Sequence, residues 1–174
     1  MFYLKSDNDK AVITDIFICV SKFWGVILGV NNAIYVETNR DAVESVFSRL
    51  KEQYKDVYRQ PDSAFMYDYV DLRNKCIIVK TLVTEAPLMT VDGVRVPTLE
   101  KMLVDTQKDA DFDYVRGVES QYMYQMAFDL YTINTQRLMR YARRRGISQE
   151  IQELLRSATQ GDACQSRNQV NNND

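Results

Sequence analysis

Apolar positions in the first hundred residues alternate between strand-like runs and helical spacing. Ile13–Val20 is dense in β-branched and aromatic residues and predicts a core strand. Phe23, Trp24, Ile27 and Leu28 then keep helical spacing, but Gly25 and Gly29 weaken it, so a short helix or irregular turn is expected over Ser21–Val30. Asn31-Asn32 interrupts the pattern and Ala33–Glu37 resumes as a strand. Thr38 followed by Asp41 resembles a capping box, with Asp in place of the preferred Glu or Gln. Ala42, Val43, Val46, Phe47, Leu50 and Tyr54 mark one face of a helix from Arg40 to Tyr54. Val57–Gln60 predicts a short strand ended by Pro61, and Asp62 a cap for a helix carrying Phe65, Met66, Tyr69, Val70 and Leu72. Cys76–Val83 is a third major strand, with Pro87 at its end.

Asp92-Gly93 between β-branched residues then predicts a tight hairpin turn that completes the sheet, because glycine enters positive φ without steric cost. Pro97 stops the hairpin, and Thr98 is placed to cap a helix whose first apolar residues are Leu99, Met102 and Leu103. Beyond Asp105 the chain reads as helical. Asp111 or Asp113 opens a run in which Val115, Val118, Tyr122, Met126 and Leu130 keep helical spacing. Asn134 caps a helix bearing Leu138, Met139 and Ala142, and Gly146 follows its arginine-rich last turn. Ser148 caps a short final helix with Ile151, Leu154 and Leu155, after which little remains to bury.

The expected fold class is α+β, a mixed α/β sheet layer with packed helices, followed by a C-terminal helical bundle. The corresponding boundaries are 1–107 for the sheet domain, 108–157 for the helical subdomain and 158–174 for a disordered tail.

Composition narrows the chemistry. The 174 residues are 45% apolar and 26% charged, the balance of a soluble globular protein. The longest apolar region, Ile16–Val30, is broken by Ser21, Lys22 and Gly25, so no membrane span is expected. Lys5, Asp7, Asp9 and Lys10 follow too short an apolar start for a secretory signal, which makes the cytoplasm the expected location. Histidine is absent, which removes Ser-His-Asp and Cys-His nucleophile systems and the commonest general base. Cys19, Cys76 and Cys164 are odd in number and widely spaced, which fits neither a disulfide framework nor CxxC metal ligation. Cys19 and Cys76 sit in apolar strand patterns, where a reduced cysteine acts as a small hydrophobe. The six glycines are dispersed and form no phosphate-binding loop, so no nucleotide cofactor is expected.

Carboxylates offer two further patterns. Asp111-Phe112-Asp113 resembles the D-x-D of metal-dependent nucleotidyltransferases but lacks the upstream Gly-Ser loop; acidic residues at a helix N-terminus are the simpler reading. Asp68 and Asp71 with Lys80 outline a nuclease-like set, yet the spacing fails because no Glu-x-Lys follows the strand, and a solvated helix edge is the simpler reading. The densest charge cluster is cationic. Arg137, Arg140 and Arg144 stand at i, i+3 and i+7 with Arg143 beside them, a row able to contact RNA or DNA phosphates or an acidic partner. Stabilisation of a helix C-terminus is the alternative. The net charge of −2 argues against wholesale binding of nucleic acid, leaving a local patch. Eleven tyrosines, including Tyr54, Tyr58, Tyr67, Tyr69, Tyr122 and Tyr124, fit either an interface or the rim of a small core.

The order and wording of several segments carry a resemblance. Ile18-Cys19-Val20, the helix Asp41–Phe47, the strand Ile77–Lys80 leading to Thr84-Glu85-Ala86-Pro87-Leu88, and Val94-Arg95-Val96-Pro97-Thr98-Leu99-Glu100-Lys101-Met102-Leu103-Val104-Asp105 resemble the effector half of AbiEi-type proteins. These are regulators and antitoxins of type IV toxin–antitoxin and phage-defence systems. The likeness spans residues 13 to 157 and is to a branch common in Bacteroidetes, in which the Arg137–Arg145 helix also has a counterpart.

The resemblance implies a non-enzymatic domain that pairs with a nucleotidyltransferase-like toxin or its nucleic-acid target. It brings no catalytic residues, metal or small-molecule cofactor. AbiEi-type proteins begin with a winged helix-turn-helix, whereas about a dozen residues precede the first strand here, too few for three helices and a wing. A truncated piece or a stand-alone effector domain is therefore expected. The competing readings are a divergent metal-dependent nuclease or nucleotidyltransferase using Asp68, Asp71, Asp111 or Asp113, and a structural oligomerisation domain.

Overall fold

Ala33–Thr38 (β2) is buried along its whole length, as happens when both faces of a sheet are covered. Its parallel neighbour Cys76–Thr81 (β4) is buried over Cys76–Val79, and the two pair from Ala33–Cys76 to Thr38–Thr81. Val57–Arg59 (β3) runs parallel to β4 on its other side, and Val12–Asp15 (β1) lies antiparallel to β2, giving the order β1-β2-β4-β3. The computed structural model describes residues 12–15, 33–91 and 93–168. Ile16–Val20 with Cys19, the expected Ser21–Val30 element, Asn31-Asn32 and Asp92 lie outside the described residues.

The chain divides into two compact units, Met1–Pro97 and Thr98–Asp174. Sheets and helices fill the first, helices alone the second, and the class is α+β. The division falls at Pro97, ahead of the expected boundary at residue 107, because the helix starting at Leu99 packs with its helical successors.

Arg40–Ala42 is a 3₁₀ turn leading into Val43–Lys51 (α1). Val43, Val46 and Leu50 of α1 close one face of the sheet against Ile34, Val36, Val57, Ile77 and Val79, with Phe47 and Tyr54 at the margin. Full burial of one such aliphatic side chain stabilises by roughly 1.5–3 kcal/mol, and this layer holds the first unit together. Thr38 does not cap this helix. It remains in β2, 1% exposed, and its carbonyl accepts the Leu82 N–H (2.7 Å), so the cap position passes to Asn39, whose side chain makes no capping bond.

Ser63–Tyr69 (α2) starts where Asp62 accepts the Phe65 N–H (2.8 Å), as its cap spacing predicts. Phe65 meets Tyr58 edge-on (6.0 Å between centroids) on the face opposite Val57, so α1 and α2 flank opposite faces. The helix ends before Val70 instead of reaching Leu72. Asp71 there accepts the Arg73 N–H and holds its guanidinium (2.8 Å), a local turn that competes with helix.

Leu88–Val91 (β5) and Val94–Pro97 (β6) form the expected hairpin, with Val91 opposite Val94 and Gly93 at φ +79°. The hairpin does not complete the sheet. It is a separate two-stranded sheet with β6 lying against β1 without joining its ladder.

The second unit opens with Leu99–Lys108 (α3). Thr98 takes the cap position but its side chain makes no capping bond. Ala110–Val115 is 3₁₀, and the backbone leaves helical geometry at Arg116, so the run expected from Asp111 to Leu130 is broken. Val118–Leu130 (α4) buries Ser120, Met123, Tyr124 and Ala127, while Val118, Tyr122 and Leu130 of the predicted apolar stripe are exposed. Two hydrogen bonds fix its rotation: Tyr124 Oη to the Leu103 carbonyl (2.9 Å) and Ser120 Oγ to the Val115 carbonyl (2.7 Å).

Thr135–Arg145 (α5) is capped by Asn134, whose Oδ1 accepts the Arg137 N–H (2.9 Å). It ends at Gly146 (φ +72°), whose own N–H donates to the Arg143 carbonyl and whose left-handed backbone lets the Ile147 N–H reach the Ala142 carbonyl. Ser148–Asn168 (α6) is longer than the short helix expected and continues through Ala158, where the tail was expected to begin; residues 169–174 lie outside the described ones. Ile151 and Ala158 face inward on it, and α6 packs on α4 and α5.

Cys76 is buried and free, as its apolar strand context predicts. Burial, helped by the Asp56 and Asp71 charges, pushes its thiol up to about 11 from 9.0. Below pH 9.0 the thiol is protonated in both folded and unfolded chains; between there and about 11 only the unfolded chain releases the proton, and stability falls. Urea unfolding should show wild type losing on the order of 1–2 kcal/mol more than Cys76→Ala across that window, after allowance for solvent screening. Parallel pH profiles would contradict the assignment.

Candidate functional site

Four charged residues form a buried network in the second unit, Lys101 and Asp105 on α3, Asp109 just past its end and Arg145 on α5. Lys101 and Asp105, at i and i+4 on α3, meet at 2.6 Å with side chains only 4% and 10% exposed. The other oxygen of Asp105 accepts the Tyr141 hydroxyl (2.9 Å) and faces the Arg145 guanidinium (3.6 Å). Arg145 also donates to the Asp109 carboxylate. Two cations and two anions balance, and the hydroxyl satisfies a remaining lone pair, the conditions under which buried charges are tolerated.

Glu100 makes a second tie to α5. Its Oε1 accepts the Asn134 N–H (3.0 Å) and its Oε2 lies 3.8 Å from Arg137. Since Glu100 meets the start of α5 and Asp109 its end, the two helices run in the same direction.

The electrostatics follow from these partners. Burial opposes the Arg145 charge, but Asp105 and Asp109, with Tyr141, more than offset it and raise its pKa. Burial likewise works against ionised Glu100, yet the Asn134 N–H and its own N–H, with the Arg137 charge, hold its carboxyl below the ordinary range. Burial pushes the Tyr124 phenol well above its usual value, with Asp105 adding to the effect, so it stays a donor to the Leu103 carbonyl.

This network sorts the arginines. Arg145 points inward at 13% side-chain exposure, whereas Arg137, Arg140, Arg143 and Arg144 are exposed. At 100° per residue those four fall within about 120° of the helix circumference, opposite buried Leu138 and Ala142. Arg140 and Arg143 make no ion pair among the described residues. Exposed apolar side chains in the same unit are Val118, Tyr122, Leu130 and Tyr131.

The carboxylates of the metal-dependent reading are placed differently. Asp68 is exposed on α2, and Asp71 is engaged by Arg73 and Asn74. Asp113 pairs with Arg116 (2.8 Å), while Asp111 is buried. Lys80 lies over the Tyr35 ring. Among the described residues no group of three or more His, Cys, Asp or Glu is arranged to hold a metal ion. The tyrosines divide as well, Tyr124 fully buried and Tyr67, Tyr69 and Tyr122 exposed. No helix among the described residues is long and apolar enough to cross a membrane.

Lys101, Asp105, Tyr141 and Arg145 escaped the sequence reading as a group. A Lys-x-x-x-Asp pair enclosing Met102-Leu103-Val104 was the available signal, since charges inside an apolar helix need each other.

An α+β domain with a charge-tied helical unit is the class defined by fold and site. Residues 23–161 match DUF6577, described as a family of unknown function, and the chain belongs to that family. No curated protein and no solved structure matches the chain.

Asp105→Ala leaves Lys101 and Arg145 buried without their shared counter-ion. Urea unfolding should show a loss of about 3–5 kcal/mol; a loss below about 1 kcal/mol would contradict the network's role.

Proposed function

We propose that this chain is a non-enzymatic recognition domain, an AbiEi-like antitoxin or regulator module acting in the cytoplasm. Its helical unit engages a nucleotidyltransferase-like toxin or that toxin's nucleic-acid target. The observation that carries the reading is the division of one arginine run by burial. Arg145 is consumed by Asp105 and Asp109, while Arg137, Arg140, Arg143 and Arg144 face outward.

Compensation of a helix C-terminus accounts for cations in the last turn only. Arg140 and Arg137 stand farther back along α5, so the row exceeds what the helix end requires. Guanidinium groups in such a row match phosphates or carboxylates with paired donors. The exposed Val118, Tyr122 and Leu130 add apolar and aromatic contact area of the kind protein partners cover.

Replacing Arg140 and Arg144 together with Glu tests the reading. Both side chains are exposed, so folding stability should change by less than about 1 kcal/mol. Association with a co-expressed nucleotidyltransferase-like toxin, or with single-stranded RNA, should weaken at least about tenfold. In the RNA case the slope of log affinity against log salt should shrink by about 1.4, for two lost phosphate contacts. Unchanged association with both would remove the arginine row from the mechanism.

A further inference from the structure

The three parallel strands end together around a polar cleft made by the sheet unit alone. Its volume is about 640 Å³, and it is lined by Arg40, Val43, Glu44, Arg59, Gln60 and Thr81. Arg59 and Thr81 are the last residues of β3 and β4, and Arg40 follows β2 by two positions. In α/β sheets, ligands bind beyond the carboxyl ends of the strands, where successive connections leave toward opposite faces. That condition is met: the β2 connection carries α1 on one face and the β3 connection carries α2 on the other.

We propose that this cleft binds a small phosphorylated ligand, its phosphate held between the Arg40 and Arg59 guanidinium groups. The donor set is assembled from the backbone upward. Gln60 is fixed at φ +43° by its N–H bond to the Val79 carbonyl (2.8 Å), and its side-chain amide donates to Thr81 Oγ1. Thr81 Oγ1 already accepts there, so its own O–H is available to donate into the cleft. Arg59 lies over the Phe47 ring (5.6 Å) and is paired with Glu44. Arg40 has no ion pair among the described residues.

Two guanidinium groups against one carboxylate leave the lining cationic by one charge, and planar N–H forks suit a phosphate's oxygens. The volume exceeds what a bare phosphate fills and falls in the range of small-molecule sites. Glu44 supplies an acceptor for hydroxyl groups on the organic portion, while competing with the phosphate for Arg59.

The competition gives the test two opposite arms. Ribose 5-phosphate, inorganic phosphate and succinate are titrated into the full chain by calorimetry. Ribose 5-phosphate should saturate below about 10 mM and bind more tightly than either of the others. Arg40→Ala removes an exposed cation that has no ion pair among the described residues, and it should weaken binding at least about tenfold without changing the thermal midpoint. Glu44→Gln releases Arg59 and should tighten binding several-fold. The absence of saturation, equal binding of succinate, or unchanged affinity in Arg40→Ala would each overturn the assignment. Weakened binding in Glu44→Gln would do the same.

Discussion

Asp105 is the point on which the helical unit turns. One carboxylate, nearly out of contact with water, faces a lysine ammonium on its own helix and a tyrosine hydroxyl and guanidinium on α5. Such a group is stable only while its partners stay in place, because an uncompensated buried charge costs several kcal/mol. The network therefore fixes which face of α5 turns inward: Leu138, Tyr141, Ala142 and Arg145 together. The outward row of arginines is the geometric remainder of that choice. Helix pairing and surface charge are two consequences of one constraint.

The sheet unit relies on a different principle. The face that β2 and β4 turn to α1 is apolar, and its coverage depends on packing of Ile34, Val36, Ile77 and Val79 against that helix. Polar chemistry in that unit gathers where the strands stop, at Arg40, Arg59, Gln60 and Thr81. Strand ends expose backbone and side chains that no longer have a layer to bury against, so charged residues are tolerated there. The two units thus present unlike surfaces: a polar cleft in one, a cationic helix face in the other.

Much of this was legible in the residues, and the failures are physical. Runs such as Ile77–Val79 announce a strand because β-branched side chains suit a pleated surface, and Asp62, Asn134 and Gly146 mark helix ends by local chemistry. Thr38 misled because its strand pairing with Thr81 lies far away in sequence. The stripe Val118, Tyr122, Leu130 has the right period, but hydrogen bonds from Tyr124 and Ser120 rotate α4 to bury another face. Placement of the hairpin beside β1 as a separate sheet is set by contacts some eighty residues apart in sequence, which no local window contains. The arginine row was visible because its spacing is local; its division was not, since Asp105 and Asp109 lie more than thirty residues earlier.

The claim that burial divides the arginines is tested most directly by comparing urea unfolding of Arg145→Met and Arg140→Met. Removal of the inward guanidinium takes away the cation that Asp105 and Asp109 share, and the predicted loss is about 2–4 kcal/mol; removal of the outward one should stay within about 0.5 kcal/mol. Equal losses, or a neutral Arg145→Met, would contradict the account.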